Sequence, residues 1–168
     1  PITSKKEKLG ELLYFDPLLS GDNNISCAHC HHPDLGFTDN RALSMGHGGS
    51  GVGQNRTGGT VLRRGSPTIW NSGYNHKQFW DGRADDLEHQ ASFPIQDKKE
   101  MAQDKDELIK ELIIIPEYVQ LFNEAFESHD KTSPVTFENV TFAIAAFERT
   151  ITANNTRFDQ YSRGNHLA

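Results

Sequence analysis

Two cysteines and one histidine form the motif with the most specific chemistry in this sequence. Cys27, Cys30 and His31 follow the pattern Cys-x-x-Cys-His, which is the spacing of c-type haem attachment. On a short helical turn, each thiol can form a thioether with one of the two haem vinyl groups, and the imidazole after the second cysteine can lie under the iron as its proximal ligand. The motif therefore predicts covalent haem binding. It uses both cysteines of the chain, which excludes a disulfide scaffold.

Two other chemistries would use the same thiols. A zinc site needs two more ligands, usually as a second close pair. The chain has eight histidines, but none of them form a His-x3–5-His pair of the zinc-finger kind. A thioredoxin-like dithiol is expected in a βαβ context, which the hydrophobic pattern does not show. Haem attachment is therefore the favoured interpretation.

A haem iron has a sixth position, and spacing alone does not decide which side chain fills it. His47 lies in the run Gly46-His47-Gly48-Gly49, a loop that could bring an imidazole to iron and release it, or could simply expose the histidine to solvent. Met45 and Met101 offer the thioether found in electron-transfer cytochromes. His29 and His32 stand too close to His31 in sequence to reach the other haem face. Spacing places no such restriction on the four remaining histidines, which are His76, His89, His129 and His166.

Three further residue types could act around such a haem. Peroxide cleavage needs an acid–base group near the iron, but Glu100 follows two lysines, and this context alone favours a solvated surface acid. Trp80, in Phe79-Trp80-Asp81-Gly82-Arg83, could be a core aromatic or could line an electron path. Three arginines could pair with haem propionates or form a solvated basic patch: Arg56, Arg63 and Arg64.

The apolar spacing predicts a mostly α fold with long loops and little or no strand. A capping box at Ser4-Lys5-Lys6-Glu7 would begin the first helix, and Asp16-Pro17 would end it. Four later helices are indicated by caps, prolines and apolar residues at spacings of three and four. They run from Asp85 or Asp86 through Phe93, over residues 108–113 up to Pro116, from Pro116 through Phe126, and from Thr136 through Ile151.

Glycines are concentrated between the haem motif and these later helices. Eight of the fourteen lie between Gly46 and Gly65, which could indicate a flexible linker. Linkers rarely carry aromatic residues, yet Trp70 and Trp80 follow closely. We therefore expect an ordered loop whose glycines let the backbone approach a bulky group.

Composition narrows the functional class further. The 168 residues suit one domain or two small ones. The net charge of −6 argues against a nucleic-acid-binding protein, which needs a basic face. No apolar run reaches the ~18 residues of a membrane-spanning helix, and no cleavable signal pattern begins at Pro1. These features fit a cytosolic protein or a mature exported one.

Short motifs occur in a fixed order along nearly the whole chain. They are Leu13-Tyr14-Phe15-Asp16-Pro17-Leu18-Leu19-Ser20, Ser26-Cys27-Ala28-His29-Cys30-His31, Gly36-Phe37-Thr38-Asp39, Ser44-Met45-Gly46-His47-Gly48-Gly49, Ser66-Pro67-Thr68 with Asn71, Phe79-Trp80-Asp81-Gly82-Arg83, Gln90, Pro94, Glu100-Met101, Phe158-Asp159 and Gly164-Asn165. In this order they resemble the N-terminal, peroxidatic haem domain of bacterial dihaem cytochrome c peroxidases, which include the MauG-like enzymes. The Cys-x-x-Cys-His motif alone is generic, but the ordered series is specific.

The resemblance implies four haem-binding residues. Cys27 and Cys30 would hold one covalent haem c, and His31 would be its proximal iron ligand. His47 matches the histidine that caps the iron in the resting oxidised enzyme and leaves on reductive activation.

The resemblance also implies three catalytic residues. Gln90 and Glu100 match the distal-pocket residues that handle peroxide, with Glu100 as the acid–base group. Trp80 matches the tryptophan placed between the two haems.

The family resemblance implies a periplasmic cytochrome-c peroxidase, exported with its leader removed. Residues 1–168 would form a single haem c domain with a cytochrome c-like fold. It would reduce hydrogen peroxide to water with electrons from a small cytochrome c or a cupredoxin. These electrons would pass through a second haem in a C-terminal domain that this chain lacks. The resemblance is compatible with a homodimer, while the charge and the apolar runs described above argue against a nucleic-acid partner and a membrane span.

One departure from the family concerns calcium. Family members carry an Arg-Asn-Ser/Thr-Pro run whose asparagine lies near an interdomain calcium ion. Here the run is Arg64-Gly65-Ser66-Pro67, so that ligand is absent and calcium has weaker support than haem.

Two alternative functions remain open at this point. A monohaem electron carrier would use Met101 or Met45 as sixth ligand and would lack peroxide chemistry. A MauG-like relative would oxidise a side chain of a protein substrate.

Overall fold

A computed structural model describes residues 2–126 and 133–167 of the chain. His129, one of the candidate iron ligands, lies outside these residues. Helices and loops account for the described part. The helices are α1 (Ser4–Phe15), α2 (Cys27–Cys30), α3 (Leu87–Gln96), α4 (Lys105–Ile113), α5 (Pro116–Ala125), α6 (Phe137–Glu148) and α7 (Arg157–Ser162).

Most predicted helix ends agree with the structure. Helix α1 ends at Phe15, directly before Asp16-Pro17, and α5 begins at Pro116, whose missing N–H is unneeded in a first turn. Asp86, one of the two predicted caps, accepts from the backbone N–H of His89 at 2.7 Å. Thr136 caps α6 in the same way. These short polar side chains satisfy N–H groups that a helix start leaves unpaired.

Some predicted boundaries were wrong. The first cap is Thr3, whose hydroxyl accepts from Lys6 N at 3.3 Å, because Thr3 has the extended backbone while Ser4 is already helical. Helix α3 continues beyond Phe93 to Gln96, with Pro94 in its last turn. Only one helical hydrogen bond is lost there, and the helix ends shortly afterwards. Helix α6 stops at Glu148, so that Ile151 packs from the following turn, and α7 was not predicted.

The main core lies between α1, α3, α4, α5 and α6, with both α1 and α3 packed against α6. A smaller cluster of buried residues joins α1 to the Cys-x-x-Cys-His motif on α2 and to the loop between α2 and α3. It contains Tyr14, Ala28, Ile69 and Ile151. Cys27 packs against both clusters. The fold therefore places the Cys-x-x-Cys-His motif at the junction of the helical core and the loop.

Helix α3 is attached to the end of α6 by an ion pair. Arg149 donates to both carboxylate oxygens of Glu88, at 2.6 and 2.7 Å. Paired, bidentate contacts of this kind fix orientation as well as distance. They hold α3, and the segment that follows it, at one end of the helical core.

The residues between α2 and α3 form a long loop without a sheet. Within the described part of the chain, pairing between extended segments is limited to isolated bridges, such as Met45 with Val61 and Ser50 with Thr57. The prediction of a mostly α fold with long loops and little strand is confirmed. None of the helices among residues 2–126 and 133–167 is long and apolar enough to cross a membrane.

Candidate functional site

The two thiols lie on one short helical turn, as the motif predicts. Helix α2 begins after Ser26, whose backbone N–H and hydroxyl both approach Nδ1 of His29, at 3.0 and 2.9 Å. His29 thus serves as a cap for the helix that carries Cys27 and Cys30. Burial raises the pKa of Cys27 well above its usual range and that of Cys30 to about 11. The thiols are therefore protonated near neutral pH.

His31 presents one ring nitrogen to the protein and leaves the other free. Its Nδ1 lies 3.0 Å from the carbonyl oxygen of Pro67 and 3.2 Å from that of Phe37. Carbonyls can only accept, so Nδ1 carries the proton and Nε2 keeps its lone pair. The hydroxyl of Tyr14 also donates to the His31 carbonyl at 2.5 Å. Metal-bound histidines are typically held by their second nitrogen in this way.

These three side chains fit a c-type haem. Two thiols on one turn can form the thioethers, and the adjacent imidazole offers a single free nitrogen whose orientation is already fixed. In the described part of the chain, no three His, Cys, Asp or Glu side chains are grouped as a metal site would require. The zinc interpretation therefore gains no support from the structure.

Two loop segments meet the segment that carries Glu100. The backbone N–H of His47 donates to the Lys99 carbonyl at 3.0 Å, and that of Gly21 donates to the Met101 carbonyl at 2.9 Å. A Cβ on Gly46 would lie 2.0 Å from the Lys99 oxygen, and one on Gly21 would lie 2.4 Å from the Ala102 oxygen. Only glycine permits such close approach. The fold therefore places His47 and Glu100, which are distant in sequence, on neighbouring loop segments.

Glu100 is not the solvated acid that its lysine neighbours indicate. The side chain is half-buried, because the segment folds back on the end of α3 and Met101 packs into the main core. Burial raises the pKa of Glu100; the nearby carboxylate of Asp97 adds to the rise and the charge of Arg83 opposes it. A carboxyl group with a raised pKa is better suited to proton transfer near neutral pH than an exposed one.

Gln90 and Trp80 lie in different surroundings. Gln90 is half-buried on α3, the helix against which the Glu100 segment folds. Trp80 is 68% exposed, and its indole N–H donates to the Gly65 carbonyl at 3.0 Å. The core interpretation of Trp80 is therefore wrong, since the ring lies on the surface in a fixed orientation.

Two shallow surface concavities lie on the Trp80 side of the molecule. The larger one, of about 480 Å³, is lined by Arg41, Ala42, Arg64, Gly65, Ser66 and Trp80. The smaller one, of about 410 Å³, adjoins it and shares Arg41 and Ala42. Neither is lined by the cysteines, His31 or Glu100.

Arg56 organises the glycine-rich loop from inside. It is 2% exposed and donates to the carbonyls of Met45, Gly46 and Gly51 at 2.9, 3.0 and 3.1 Å. Its guanidinium therefore belongs to the loop, which corrects both the propionate interpretation and the surface-patch interpretation for this arginine. Exposed Arg63 and Arg64 remain available for either role. The loop is ordered, as expected.

We expect Arg56→Ala to destabilise the protein by roughly 2–4 kcal/mol, because three buried or half-buried carbonyls lose a charged donor. The measurement is the free energy of unfolding in urea. Arg63→Ala is the matched control, since this exposed arginine follows the same loop and its loss should change stability by no more than about 0.5 kcal/mol. Equal stability of the two variants would show that the loop is held by other contacts.

Sequence reasoning missed two residues of this site. Asp22 places Oδ2 3.3 Å from Nδ1 of His47, and nothing in the sequence links the two. Glu148 is 5% exposed near Tyr14 and Cys27, and burial raises its pKa to about 8. Glu148 follows the buried Ile144 by four residues, so the helical spacing could have predicted that it lies on the inward face of α6.

Comparisons with known proteins agree with the geometry of this site. The profile of the family described as di-haem cytochrome c peroxidase matches residues 4–167. The chain is 40% identical over its whole length to the cytochrome c551 peroxidase of Pseudomonas aeruginosa. It is 36% identical over its whole length to the methylamine utilization protein MauG of Methylorubrum extorquens. A crystal structure of a MauG-like protein associated with microbial copper homeostasis superposes with a TM-score of 0.84 at 29% identity, covering 98% of this chain.

The chain spans less than half the length of these relatives. It covers 45% of the Pseudomonas protein, 44% of the Methylorubrum protein and 45% of the MauG-like structure. The match extends from the first helix to the last, and the proposed haem residues lie inside it. The chain therefore belongs to the di-haem cytochrome c peroxidase family.

Proposed function

We propose that this chain is the haem c domain in which a peroxidase reduces hydrogen peroxide: H2O2 + 2e⁻ + 2H⁺ → 2H2O. The observation that carries the proposal is the position of Glu100. A half-buried carboxyl group with a raised pKa lies on the segment that contacts the His47 loop. This arrangement supplies a proton-transfer group beside a candidate iron ligand, which a simple electron carrier does not need.

The haem residues are Cys27, Cys30 and His31, with His47 as the sixth ligand of the resting oxidised protein. When bound, the haem supplies the iron that accepts peroxide and exchanges electrons. His31 is kept in the correct tautomer by the carbonyls of Pro67 and Phe37. A second haem in a further domain, and the single-domain character of residues 1–168, also belong to this proposal. Calcium does not, because Gly65 replaces the family's asparagine.

In this proposal Glu100 moves the proton. Its carboxylate would accept a proton from one oxygen of hydrogen peroxide and return it to the other, which would leave as water; the haem would supply the electrons that break the O–O bond. Gln90, half-buried on the adjacent α3, orients the peroxide through its amide. The raised pKa makes Glu100 a stronger base than an ordinary surface carboxylate, so it takes up the proton of peroxide more readily.

Trp80 is the proposed point of electron entry. Its large indole ring is exposed, and the hydrogen bond to Gly65 fixes its orientation. A second haem domain would contact this face and pass on electrons from a small cytochrome c or a cupredoxin. We place the protein in the periplasm, because bacteria attach c-type haem outside the cytoplasm. Fractionation of cells that express the full-length protein tests that location.

The direct test is a covalent-haem spectrum followed by a peroxide titration of the full-length protein. We expect a Soret band that survives acid–acetone extraction, and oxidation of a reduced small cytochrome c that depends on peroxide. Extractable haem would contradict the c-type site. Covalent haem with a methionine–iron charge-transfer band and no reaction with peroxide would contradict the peroxidase and favour the electron carrier.

We expect His47→Gly to open the iron in the oxidised protein. Glycine is already abundant in this loop and removes the imidazole without adding bulk, while Cys27, Cys30 and His31 still hold the haem. The measurement is the spin state of the oxidised haem, read from its electronic and paramagnetic resonance spectra. His76→Gly, at an exposed loop position, is the control. An unchanged six-coordinate spectrum would remove His47 as the ligand.

Oxidation of a protein side chain is the second candidate function, since MauG proteins are among the relatives and the compared structure is described as MauG-like. The same acid–base group and the same exposed tryptophan would serve both reactions. Turnover with a reduced small redox protein as the only electron source favours the peroxidase. Peroxide consumption that requires a protein substrate, with oxidised tyrosine or tryptophan found in that substrate by mass spectrometry, favours the alternative.

A further inference from the structure

Asp22 and His47 lie on separate segments that the backbone holds side by side. Gly21 N donates to the Met101 carbonyl, and His47 N donates to the Lys99 carbonyl, so both segments are fixed to residues 99–101. Asp22 therefore approaches His47 because of two independent backbone contacts.

The contact between the two side chains selects one nitrogen of the imidazole. His47 Nδ1 is buried from solvent and has no hydrogen-bond partner of good angle, and Asp22 Oδ2 lies 3.3 Å from it. A carboxylate can only accept, so this neighbour favours the tautomer in which Nδ1 carries the proton. The lone pair is then on Nε2, the nitrogen that the protein leaves free.

Two other groups face the Asp22 carboxylate. The hydroxyl of Ser20 lies 3.3 Å from Oδ1, on the side away from the imidazole contact. The guanidinium of Arg56, buried under the glycine-rich loop, attracts the same carboxylate through its charge. Both groups help to keep the Asp22 carboxylate in place. The carboxylate is thus available to accept a hydrogen bond from Nδ1–H of His47.

We propose that Asp22 is the positioning residue that makes His47 a ligand through Nε2. The proposal rests on the role proposed above for His47 and adds the reason why that imidazole reaches the iron in the correct tautomer and orientation. Asp22 itself touches neither peroxide nor iron.

The same pair allows the imidazole to leave. Apart from the buried Nδ1, the side chain of His47 is 36% exposed and that of Asp22 is 30% exposed, so the protein does not enclose either side chain. Asp22 therefore orients the His47 ring but still allows it to leave, so a small change in the free energy of this contact shifts the equilibrium between the bound and the released imidazole.

The test is Asp22→Asn in the full-length, haem-loaded protein. The asparagine amide can donate to Nδ1 and so favours the opposite tautomer, whose Nε2 carries the proton and cannot bind iron. We expect the ratio of released to bound His47 to rise by about 10- to 100-fold, the usual effect of losing such a partner. The readout is the high-spin fraction of the oxidised haem, which does not depend on turnover. Asp22→Glu should restore part of the bound fraction.

Controls separate this role from a purely structural one. Asp106→Asn, at an exposed position in the first turn of α4, removes the same charge and should leave the spin state unchanged. In a His47→Gly background, Asp22→Asn should have no further effect, because the ring on which it acts is gone. An unchanged spin state in Asp22→Asn alone, with His47→Gly still opening the iron, would overturn the proposal and leave the proposed function intact. An effect of the same size in both backgrounds would also overturn it.

Discussion

Serine at both positions 27 and 30 is expected to abolish covalent haem binding completely. A serine hydroxyl does not add to a haem vinyl group, and the two thiols are the only ones in the chain. The change replaces one sulfur by one oxygen at each position and leaves Ser26, His29 and His31 in place. The measurement is haem staining after denaturing electrophoresis, combined with the mass of the intact protein.

The single variants provide the control for this result. Cys27→Ser and Cys30→Ser should each retain one thioether and therefore some haem that survives denaturation. His31 offers the same free nitrogen in all three variants, since its position is fixed by Pro67 and Phe37. Non-covalent haem could thus bind to the double variant, but extraction should remove it. Haem that resists extraction from the double variant would refute the assignment of both thiols.

Glu100→Gln is expected to lower peroxide turnover by about 10²- to 10⁴-fold, the usual contribution of a positioned acid–base group. Glutamine has nearly the same shape but can neither accept the proton of peroxide nor return it. The haem should stay bound, because Glu100 is not a ligand. The measurement is turnover under saturating electron donor, with the haem content determined on the same sample.

The pH dependence gives a second readout for the same residue. In the proposed mechanism the acting form of Glu100 is the carboxylate, so we expect activity to fall as the pH drops through its pKa. Burial raises that pKa, and the acid limb of kcat/KM should therefore lie above the usual range of an exposed glutamate. The limb should disappear in Glu100→Gln. Glu117→Gln, at an exposed position in the first turn of α5, should leave both rate and limb unchanged. Near wild-type turnover in Glu100→Gln would refute the role.

Local sequence rules were sufficient where a single segment determines the outcome. Thr136 and Pro116 start helices because caps and first-turn prolines act within four residues. The Cys-x-x-Cys-His spacing likewise indicates chemistry that one helical turn can arrange. Ser4 was the wrong cap because two adjacent hydroxyl residues offer the same chemistry, and only the backbone distinguishes Thr3 from Ser4.

Local rules failed where distant segments decide the environment. The lysines before Glu100 predict a solvated side chain, but Met101 anchors the segment in the core and the backbone turns back on α3. The position of Asp22 beside His47 requires two glycines that let three segments approach one another. The glycine-rich sequence around Arg56 suggests an arginine on the surface, yet its hydrogen-bond partners are carbonyls of its own loop. Tertiary contacts set these outcomes, and family resemblance was the only guide to Glu100 and His47.

The burial of the two thiols has a consequence for how the protein is made. A thiol reacts as its thiolate, and in the folded chain burial keeps both Cys27 and Cys30 protonated at neutral pH. If these thiols form the proposed thioethers, we expect them to do so while this region is still open to solvent. The hydrogen bonds of Arg56 to its loop and of Tyr14 to the His31 carbonyl would then close the region afterwards.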